Sequence, residues 1–311
     1  MSRLSHIVQS LGSRPGYTLM RGLARFRSVR QVIGQSRAML QGRRLRAHLA
    51  ACESRMAQSV FGSIDRTDFV RRLREDGVAF GLKLPAEFTR EIVDFATQNP
   101  CFADRQPGCG FRFEDRPNAE AKLAKPILVA QYFNAASQSS AISRLLGDPA
   151  LQWIAGKYLE SVPTFVGANL WWTFPVQALQ EDRDRHAHLF HRDVDDFRFF
   201  KFFFYLTDVE AGDGGHVCVV ASHRQPPILR AGDRWNIRRY TDAEVEQCFA
   251  ADKIVEICGT AGTGFAENTL CVHKGLTPTH APRLLLQLQY ALFDYGVVHD
   301  RRDPAALRMI A

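Results

Sequence analysis

The sequence lacks the features that would place the chain across a membrane or in an oxidising compartment. It has no charge-free apolar run of about 18 residues, the length a spanning helix needs, and no apolar run typical of a secretory signal near its start. The seven cysteines form an odd set without a C-x-x-C pair, which argues against a disulfide framework and a structural zinc site. We therefore expect a reducing compartment such as the cytoplasm.

Acidic residues and lysine are both absent from Met1 to Cys52, a segment that contains ten arginines. The whole chain of 311 residues has 40 Lys and Arg against 33 Asp and Glu. Outside this segment the basic and acidic groups therefore nearly balance. The pattern predicts a basic helical arm, residues 1–60, followed by a near-neutral globular domain, residues 61–311.

The arm contains apolar residues at helical spacing, Leu19, Leu23, Phe26 and Ile33, with arginines around them. A basic amphipathic helix of this kind has several interpretations. Residues 1–52 could contact an anionic membrane surface, dock on a phosphorylated polymer, act as an organelle transit peptide or bind a partner protein. The alternative is a helical hairpin packed on the domain with its arginines in water. No nucleic-acid partner is predicted, because a recognisable reading module is missing.

Residues 61–160 show helical patterns and are predicted to support the rest of the domain. The predicted elements are a helix over Asp65–Asp76, a strand over Val78–Leu82, a helix starting at Pro85, and helices over Ser137–Leu146 and Asp148–Leu159. Residues 101–126 are rich in Gly, Pro and charge, so a long loop is expected there.

After Pro163 the chain changes to short apolar runs separated by Gly, Asp and Pro, the pattern of a sandwich or barrel. The runs are Thr164–Phe174, Ala187–His191, Phe197–Leu206, His216–Val220, Ile254–Cys258, Thr269–His273 and Leu284–Phe293, and one helix is expected over Asp242–Ala250. The segment Phe199–Tyr205 is apolar on both faces. Such a strand requires a second sheet on one side and helices on the other.

Two histidines and one aspartate have the spacing of a metal site. His191 and Asp193 lie two residues apart, so an extended backbone places both side chains on one face. The later run that ends at His273 can supply a third ligand. Two histidines and a carboxylate form the facial triad of non-haem Fe(II) oxygenases, which leaves coordination positions open for a bidentate keto acid and for O₂.

A keto-acid co-substrate also needs a cation for its distant carboxylate, and Arg283, ten residues after His273, is the candidate. Lys201 is either a second partner for that carboxylate or a lysine that reaches solvent along its strand. Asn169, Trp171 and Thr173 share one face of an earlier strand and are expected to line the pocket, whereas Trp172 is expected under the helices.

Five other histidines compete for the third ligand position or the pocket: His186, His188, His216, His223 and His280. His280 is the main rival to His273, but Arg283 follows it by only three positions, too few for the chain to turn and return to an adjacent strand. His186 and His188 are interpreted as rim or surface residues.

From about Asp65 to Tyr295 the chain resembles the phytanoyl-CoA dioxygenase family of Fe(II)- and 2-oxoglutarate-dependent oxygenases. The resemblance is densest from His188 to Arg224. It rests there on Phe190 to Asp196, followed by Lys201 and Tyr205 to Val209, and on the Gly-rich turn and strand from Gly214 to Arg224. It implies a mainly β, α+β fold with N-terminal helices and a double-stranded β-helix (jelly-roll, cupin-like) core at 161–296. It also implies His191, Asp193 and His273 on iron and Arg283 on 2-oxoglutarate. One departure is Val220-Ala221, where the family has Pro-Gly.

The function predicted on this basis is hydroxylation of an unactivated C–H bond in a small-molecule, lipid-linked or glycan-linked substrate. The presence of Asp193 favours hydroxylation or another oxidation, because related halogenases lack this carboxylate. The alternative hypothesis is a catalytically inactive jelly-roll module that binds a metal or ligand and is targeted by its basic arm.

Overall fold

The computed structural model describes residues 14–177, 188–225, 238–297 and 300–311, together with Leu229 and Asp233. The helices are α1 (Pro15–Leu23), α2 (Arg27–Ser54), α3 (Arg66–Glu75), α4 (Ala86–Gln98), α5 (Arg116–Leu123), α6 (Ala135–Gln138), α7 (Ser140–Leu146), α8 (Pro149–Leu159) and α9 (Asp242–Cys248). The strands are β1 (Val78–Lys83), β2 (Cys101–Ala103), β3 (Gly110–Phe111), β4 (Val129–Tyr132), β5 (Thr164–Thr173), β6 (Phe199–Tyr205), β7 (His216–Val219), β8 (Ile254–Ile257), β9 (Thr263–Glu267), β10 (His273–Gly275) and β11 (Arg283–Ala291). In the part of the chain so described, no helix is long and apolar enough to cross a membrane.

The arm forms two helices, where its spacing suggested one continuous stripe. α1 ends at Leu23, and Arg30 Nη1 donates to the carbonyls of Ala24 and Arg25, which closes the turn into α2. At this end of the arm, Met20 and Ala24 are buried against the domain, with Tyr17 packed beside them. Leu19, Leu23 and Phe26 therefore point to solvent, with exposures of 62%, 39% and 41%. The buried side of α1 is set by a second three-and-four spacing, Tyr17–Met20–Ala24.

The helices of the first half mostly confirm the sequence pattern. α3 begins after Asp65, whose side chain accepts from the backbone N–H groups of Thr67 and Asp68, and β1 follows at Val78. The predicted helix over Ser137–Leu146 is interrupted, because Ser139 takes an extended conformation and caps α7 through Ile142 N–H. The expectation of a long loop at 101–126 is wrong, since β2, β3 and α5 occupy that segment.

Two antiparallel sheets form the core. The larger sheet has eight strands in the order β1-β9-β6-β11-β5-β4-β2-β3, and the smaller has three in the order β10-β7-β8. Strand neighbours that are distant in the chain, such as β6 beside β11 and β9, are typical of the jelly roll. The chain thus has the α+β, jelly-roll fold with N-terminal helices that its resemblance implies.

β6 is buried on both faces, as its composition predicts. Phe200, Phe202 and Phe204 belong to the core between the large sheet and the helices, where Tyr158 packs on Phe200. Phe203 lies on the opposite face and stacks on Phe265 of β9. Because the helices cover one face of the large sheet, polar side chains on its other face can gather in the space between the sheets.

Candidate metal centre

His191 and Asp193 lie on a short extended segment beside the strand that carries His273. His191 N–H donates to the His273 carbonyl at 2.9 Å, and His273 N–H donates back at 3.0 Å. Asp193 N–H donates to the carbonyl of Thr269 at 2.8 Å. The predicted strand over Thr269–His273 is wrong, because a turn occupies this region and β10 begins at His273 itself. Of the predicted run Ala187–His191, Ala187 lies outside the described residues, and Phe190 and His191 form isolated bridges rather than a strand.

The three side chains form a compact donor set. His191 Nε2 lies 3.7 Å from Asp193 Oδ1, and His273 Nε2 lies 3.7 Å from Asp193 Oδ2. One ligand atom from each residue lies within 4.8 Å of the others. The Nδ1 atoms of His191 and His273 are each 2.9 Å from a backbone carbonyl, of Leu189 and Cys271. This hydrogen bonding leaves both Nε2 atoms directed at Asp193, so the residues fit a divalent metal.

Lys201 of β6 binds the acidic member of the set. Its Nζ lies 2.6 Å from Asp193 Oδ2 and 3.2 Å from Asp195 Oδ2, and the residue is buried. Burial lowers the pKa of Lys201, but the two carboxylates raise it more strongly, so its net shift is upward. Burial opposes ionisation of Asp193, yet Lys201 and the two imidazoles hold its pKa well below the usual range. The alternative in which Lys201 extends to solvent is therefore wrong.

Both histidines of the set are neutral in the folded protein. Burial, followed by repulsion from His273, lowers the pKa of His191 well below its ordinary value. Burial is also the main reason that the pKa of His273 is lowered. A neutral imidazole is the form that binds a metal, so no proton has to be displaced near pH 7.

A second buried pair, His216 and Glu267, packs against His273 of the metal centre. The ring of His216 stacks on that of His273 with centroids 5.5 Å apart, and its Nε2 lies 2.6 Å from Glu267 Oε2. Burial raises the pKa of Glu267 to about 8 and lowers the pKa of His216 to about 3. At neutral pH the pair therefore consists of a protonated carboxyl and a neutral imidazole. We did not predict β9, although the alternation of Phe265 and Glu267 is a sequence signal for that strand.

Arg283 begins β11 and faces the same space. Its Nη1 donates to the Gly214 carbonyl and its Nη2 to Thr173 Oγ1 at 3.0 Å, while its Nε has no hydrogen-bond partner. Within the described residues Arg283 forms no ion pair, although it is 4% exposed and burial lowers its pKa. Gly214 has φ +84°, and a Cβ there would lie 2.9 Å from Pro278, so this turn requires glycine. A buried guanidinium without a counter-ion fits the carboxylate of a co-substrate.

The donor set and Arg283 open into one cavity of about 320 Å³. Asn169 and Trp171 line its wall, as predicted from their shared strand face. Thr173 does not reach the cavity and instead orients Arg283. Three further lining residues had no distinguishing sequence signal: Tyr17 and Arg21 of the arm, and Arg105 in the segment expected to be a loop.

Among the described residues, the other histidines fall outside the donor set. His280 has 84% side-chain exposure and lies near Asp213. His188 is buried and lines the cavity, so its interpretation as a rim residue is wrong. Trp172 is buried under the helices and donates to Tyr132 Oη at 2.9 Å, as expected. His186 lies outside the described residues.

Comparison with known proteins returns similar solved structures. No protein-family model matches the chain, and no curated protein matches it. The non-heme alpha-ketoglutarate-dependent epimerase SnoN from nogalamycin biosynthesis is 16% identical over 72% of this chain and 82% of its own, with a TM-score of 0.48. AviO1 from Streptomyces viridochromogenes Tue57 is 17% identical over 74% and 96%, with a TM-score of 0.46. HygX from Streptomyces hygroscopicus, solved with nickel, 2-oxoglutarate and hygromycin B, is 14% identical over 72% and 86%, with a TM-score of 0.49.

The side chains of this chain themselves define its site. Its own topology and donor set define a jelly-roll protein with a His-Asp-His group between its two sheets and a buried arginine in the same cavity.

Proposed function

We propose that this protein is a non-haem Fe(II)- and 2-oxoglutarate-dependent oxygenase that hydroxylates an unactivated C–H bond. The observation that carries the proposal is one cavity that contains both the group His191, Asp193 and His273 and the buried Arg283, which forms no ion pair among the described residues. A metal site alone has many uses. A metal site that shares a cavity with a buried arginine suits a co-substrate with both a metal-chelating end and a carboxylate end.

Each residue has a defined task in this proposal. His191, Asp193 and His273 would hold Fe(II), which when bound supplies the oxidation of substrate by O₂ with conversion of 2-oxoglutarate to succinate and CO₂. Arg283 would bind the distant carboxylate of 2-oxoglutarate, with Thr173 orienting its guanidinium. Lys201 keeps Asp193 ionised and fixes its orientation.

The remaining cavity wall indicates the class of substrate. Trp171, Phe203 and Leu285 provide apolar surface, while Arg21 and Arg105 add positive charge. We infer a small-molecule substrate, free or linked to a lipid or glycan, that combines an apolar portion with an anionic group. A site of about 320 Å³ accommodates part of such a molecule beside the co-substrate.

The decisive experiment is anaerobic addition of Fe(II) and then 2-oxoglutarate to the metal-free protein, followed by visible spectroscopy. We expect the charge-transfer band of a 2-oxoglutarate–Fe(II) chelate in the wild type. His191→Ala should abolish the band, and Arg283→Ala should require higher 2-oxoglutarate concentrations to reach it. His280→Ala serves as the matched control, because it removes an exposed histidine and should leave the band unchanged.

Folded, iron-loaded protein without the band would contradict the proposal. Metal binding without a chelate would instead favour the alternative, an inactive jelly-roll module that binds a metal or ligand. A band that persists in His191→Ala and disappears in His280→Ala would assign the metal to other residues.

We also propose that the arm makes peripheral contact with an anionic membrane surface. Leu19, Leu23 and Phe26 are exposed next to arginines, in a segment without acidic residues. The combination of apolar side chains and uniform positive charge suits a surface of anionic lipid.

Vesicle sedimentation tests this contact. We expect the full chain to pellet with phosphatidylserine vesicles and the Leu19→Ser/Leu23→Ser variant to stay largely in the supernatant. Met39→Ser/Leu40→Ser is the matched control, since these α2 residues are also exposed. Equal pelleting of all three proteins would show that Leu19 and Leu23 do not mediate the contact, and a full chain that stays in the supernatant would contradict the contact itself.

A further inference from the structure

A second cavity, here called the arginine cavity, lies between the arm and the jelly-roll core. Its volume is about 470 Å³, and within the described residues it shares no lining residue with the metal-site cavity. Five arginines line it, from α2, α3, the residue before β6 and the turn after β7: Arg27, Arg30, Arg74, Arg198 and Arg224. Its size is that of a small-molecule site.

The charges in the arginine cavity are not balanced. Glu160 is the acidic lining residue, and it accepts from Arg74 Nη2 at 3.1 Å and Arg198 Nη1 at 2.7 Å. In the part of the chain that the structure describes, Arg27, Arg30 and Arg224 form no ion pair with a carboxylate. Five guanidinium groups facing one carboxylate leave four positive charges uncompensated.

Burial and the crowding of cations together lower the pKa of groups in this cavity. Burial, followed by repulsion from Arg192 and Arg27, lowers the pKa of Arg30 to about 10. Burial, with repulsion from Arg224 and Arg30, lowers the pKa of His223 to about 4. Like charges held together in a partly buried site raise the free energy of the folded protein, and a bound anion would relieve that repulsion.

The backbone around the arginine cavity is built to hold guanidinium groups close to α2. A Cβ on Gly34 would lie 2.7 Å from Arg198 Nη2, so glycine at this helical position leaves the space that Arg198 occupies. The first turn of α2, which contributes Arg27 and Arg30, contains no acidic residue, and Phe26 before it provides no capping side chain. The positive end of a 28-residue helix therefore adds to the field of the arginines.

We propose that the arginine cavity binds a soluble ligand through two adjacent phosphate groups. The planar fork of arginine matches phosphate oxygens, and a diphosphate carries about the charge that the cavity leaves uncompensated. Tyr158, Phe197 and Phe199 line the same space and offer apolar surface to the rest of such a ligand.

The site is separate from the catalytic cavity but touches the segment that positions its ligands. Leu270 lines the arginine cavity, and its carbonyl accepts from Arg192 Nε at 3.1 Å. The carbonyl of the preceding Thr269 accepts from Asp193 N–H. A bound phosphate ligand would thus contact the turn that holds Asp193. Its binding does not depend on iron or on oxygenase activity.

Isothermal titration calorimetry with inorganic pyrophosphate tests the proposal on the full chain without metal or 2-oxoglutarate, at about 150 mM salt so that weak surface attraction is screened. We expect one site per chain. Arg27→Gln/Arg30→Gln should weaken binding about tenfold or more. Arg43→Gln/Arg44→Gln makes the same charge change at exposed positions of the same helix and should alter affinity less than about twofold.

A second variant keeps the test independent of the turn between α1 and α2, which Arg30 helps to close. Arg224→Gln lies on a different segment and should also weaken pyrophosphate binding, with its melting temperature checked in parallel. An equal loss of pyrophosphate affinity in Arg43→Gln/Arg44→Gln would show that net charge alone explains the effect, and it would overturn the proposal. Failure of the wild type to bind pyrophosphate would also overturn the proposal. Pelleting with phosphatidic acid vesicles in the absence of pyrophosphate binding would assign the arginines to a lipid headgroup instead.

Discussion

At the scale of single residues, the metal centre shows how hydrogen bonds prepare side chains for binding. Backbone carbonyls orient His191 and His273, Lys201 orients Asp193, and Thr173 orients Arg283. Each functional side chain is therefore held by a hydrogen-bonding or ion-pairing partner. Such partners set affinity indirectly, which makes their effects measurable.

Thr173 is the clearest positioning residue. Thr173→Val keeps the shape but removes the acceptor for Arg283 Nη2, so we expect a rise in the Kd for 2-oxoglutarate of about fivefold, or about 1 kcal/mol. Iron affinity should stay unchanged, and Thr173→Ser should restore the wild-type Kd. Titration of the anaerobic iron-loaded protein measures both quantities. A Thr173→Val protein that loses iron and 2-oxoglutarate together would point to a general structural defect.

Glu267 predicts a pH dependence of stability in the metal-free protein. Because its pKa is raised to about 8 by burial, the folded state keeps a proton that the unfolded chain releases at much lower pH. This contribution is complete below about pH 4.5 and is lost as the pH rises through 8. Glu267→Gln mimics the protonated form at every pH and should therefore remove this pH dependence.

We therefore expect the free energy of unfolding of the wild type to fall between pH 7 and 8 by up to about 1.4 kcal/mol more per pH unit than that of Glu267→Gln. Chemical denaturation at several pH values measures the slopes. The window lies above the ordinary pKa of histidine, so the buried imidazoles contribute little to the difference. Parallel slopes for the two proteins would show that Glu267 does not hold the proton.

At the scale of elements, helix caps connect the arm to the helices that cover the large sheet. Asp148 caps α8 by accepting from Ala150 and Leu151 N–H, and it also accepts from Ser59 Oγ and Val60 N–H, each at 2.9 Å. One buried carboxylate thus joins the start of α8 to the chain that follows α2. Asp65 caps α3 in a similar way but is solvent-exposed and lacks the long-range bonds.

These two caps provide a matched comparison. Asp65→Ala should lower the free energy of unfolding by about 1 kcal/mol, the usual cost of losing a cap. Asp148→Ala should cost about 3 kcal/mol, because it also leaves the half-buried donors Ser59 Oγ and Val60 N–H without their partner. Urea denaturation of both variants measures the difference. Equal costs would show that the link to residues 59–60 contributes nothing to stability.

In the turn after β7, a residue other than glycine adopts a left-handed backbone conformation. Ala221 stands where the resembling family has glycine, and it adopts φ +62°, a left-handed conformation that glycine would take without strain. Its N–H donates to the carbonyl of Asp76 at 2.6 Å, which holds the turn against α3. The departure from the family pattern therefore leaves the turn in place.

At the scale of the whole molecule, ligand binding and stability should be linked. The donor set joins the small sheet to the segment at 191–193, so Fe(II) bound to it would stabilise the folded state, by about 2.7 kcal/mol at a free concentration 100-fold above its Kd. Adding 2-oxoglutarate should increase this further. Anaerobic urea denaturation measures the gain, which should vanish in His273→Ala and persist in His280→Ala. A gain retained in His273→Ala would contradict the assigned ligand set.

Much of the fold followed from local patterns in the sequence. Apolar strand patterns predicted β5, β6 and β11, and apolar residues at three-and-four spacing predicted α3 and α4. These elements bury one or both faces, so apolar residues occupy their buried positions. The spacing of His191 and Asp193 predicted their shared face, because residues two apart on an extended segment point the same way. His273 and Arg283 were expected on neighbouring strands of one sheet, and this is wrong: they begin strands of different sheets and meet at the cavity between those sheets.

The tertiary structure alone decided what long-range packing controls. Arg21 and Arg105 line the cavity, His188 is buried, and Lys201 pairs with Asp193, because segments distant in the chain meet there. The exposed side of α1 and the gathering of arginines into a second cavity were likewise invisible in the sequence. A local pattern specifies which face of an element is apolar, whereas the partner of that face and of each charge depends on elements that the chain brings together only when it folds.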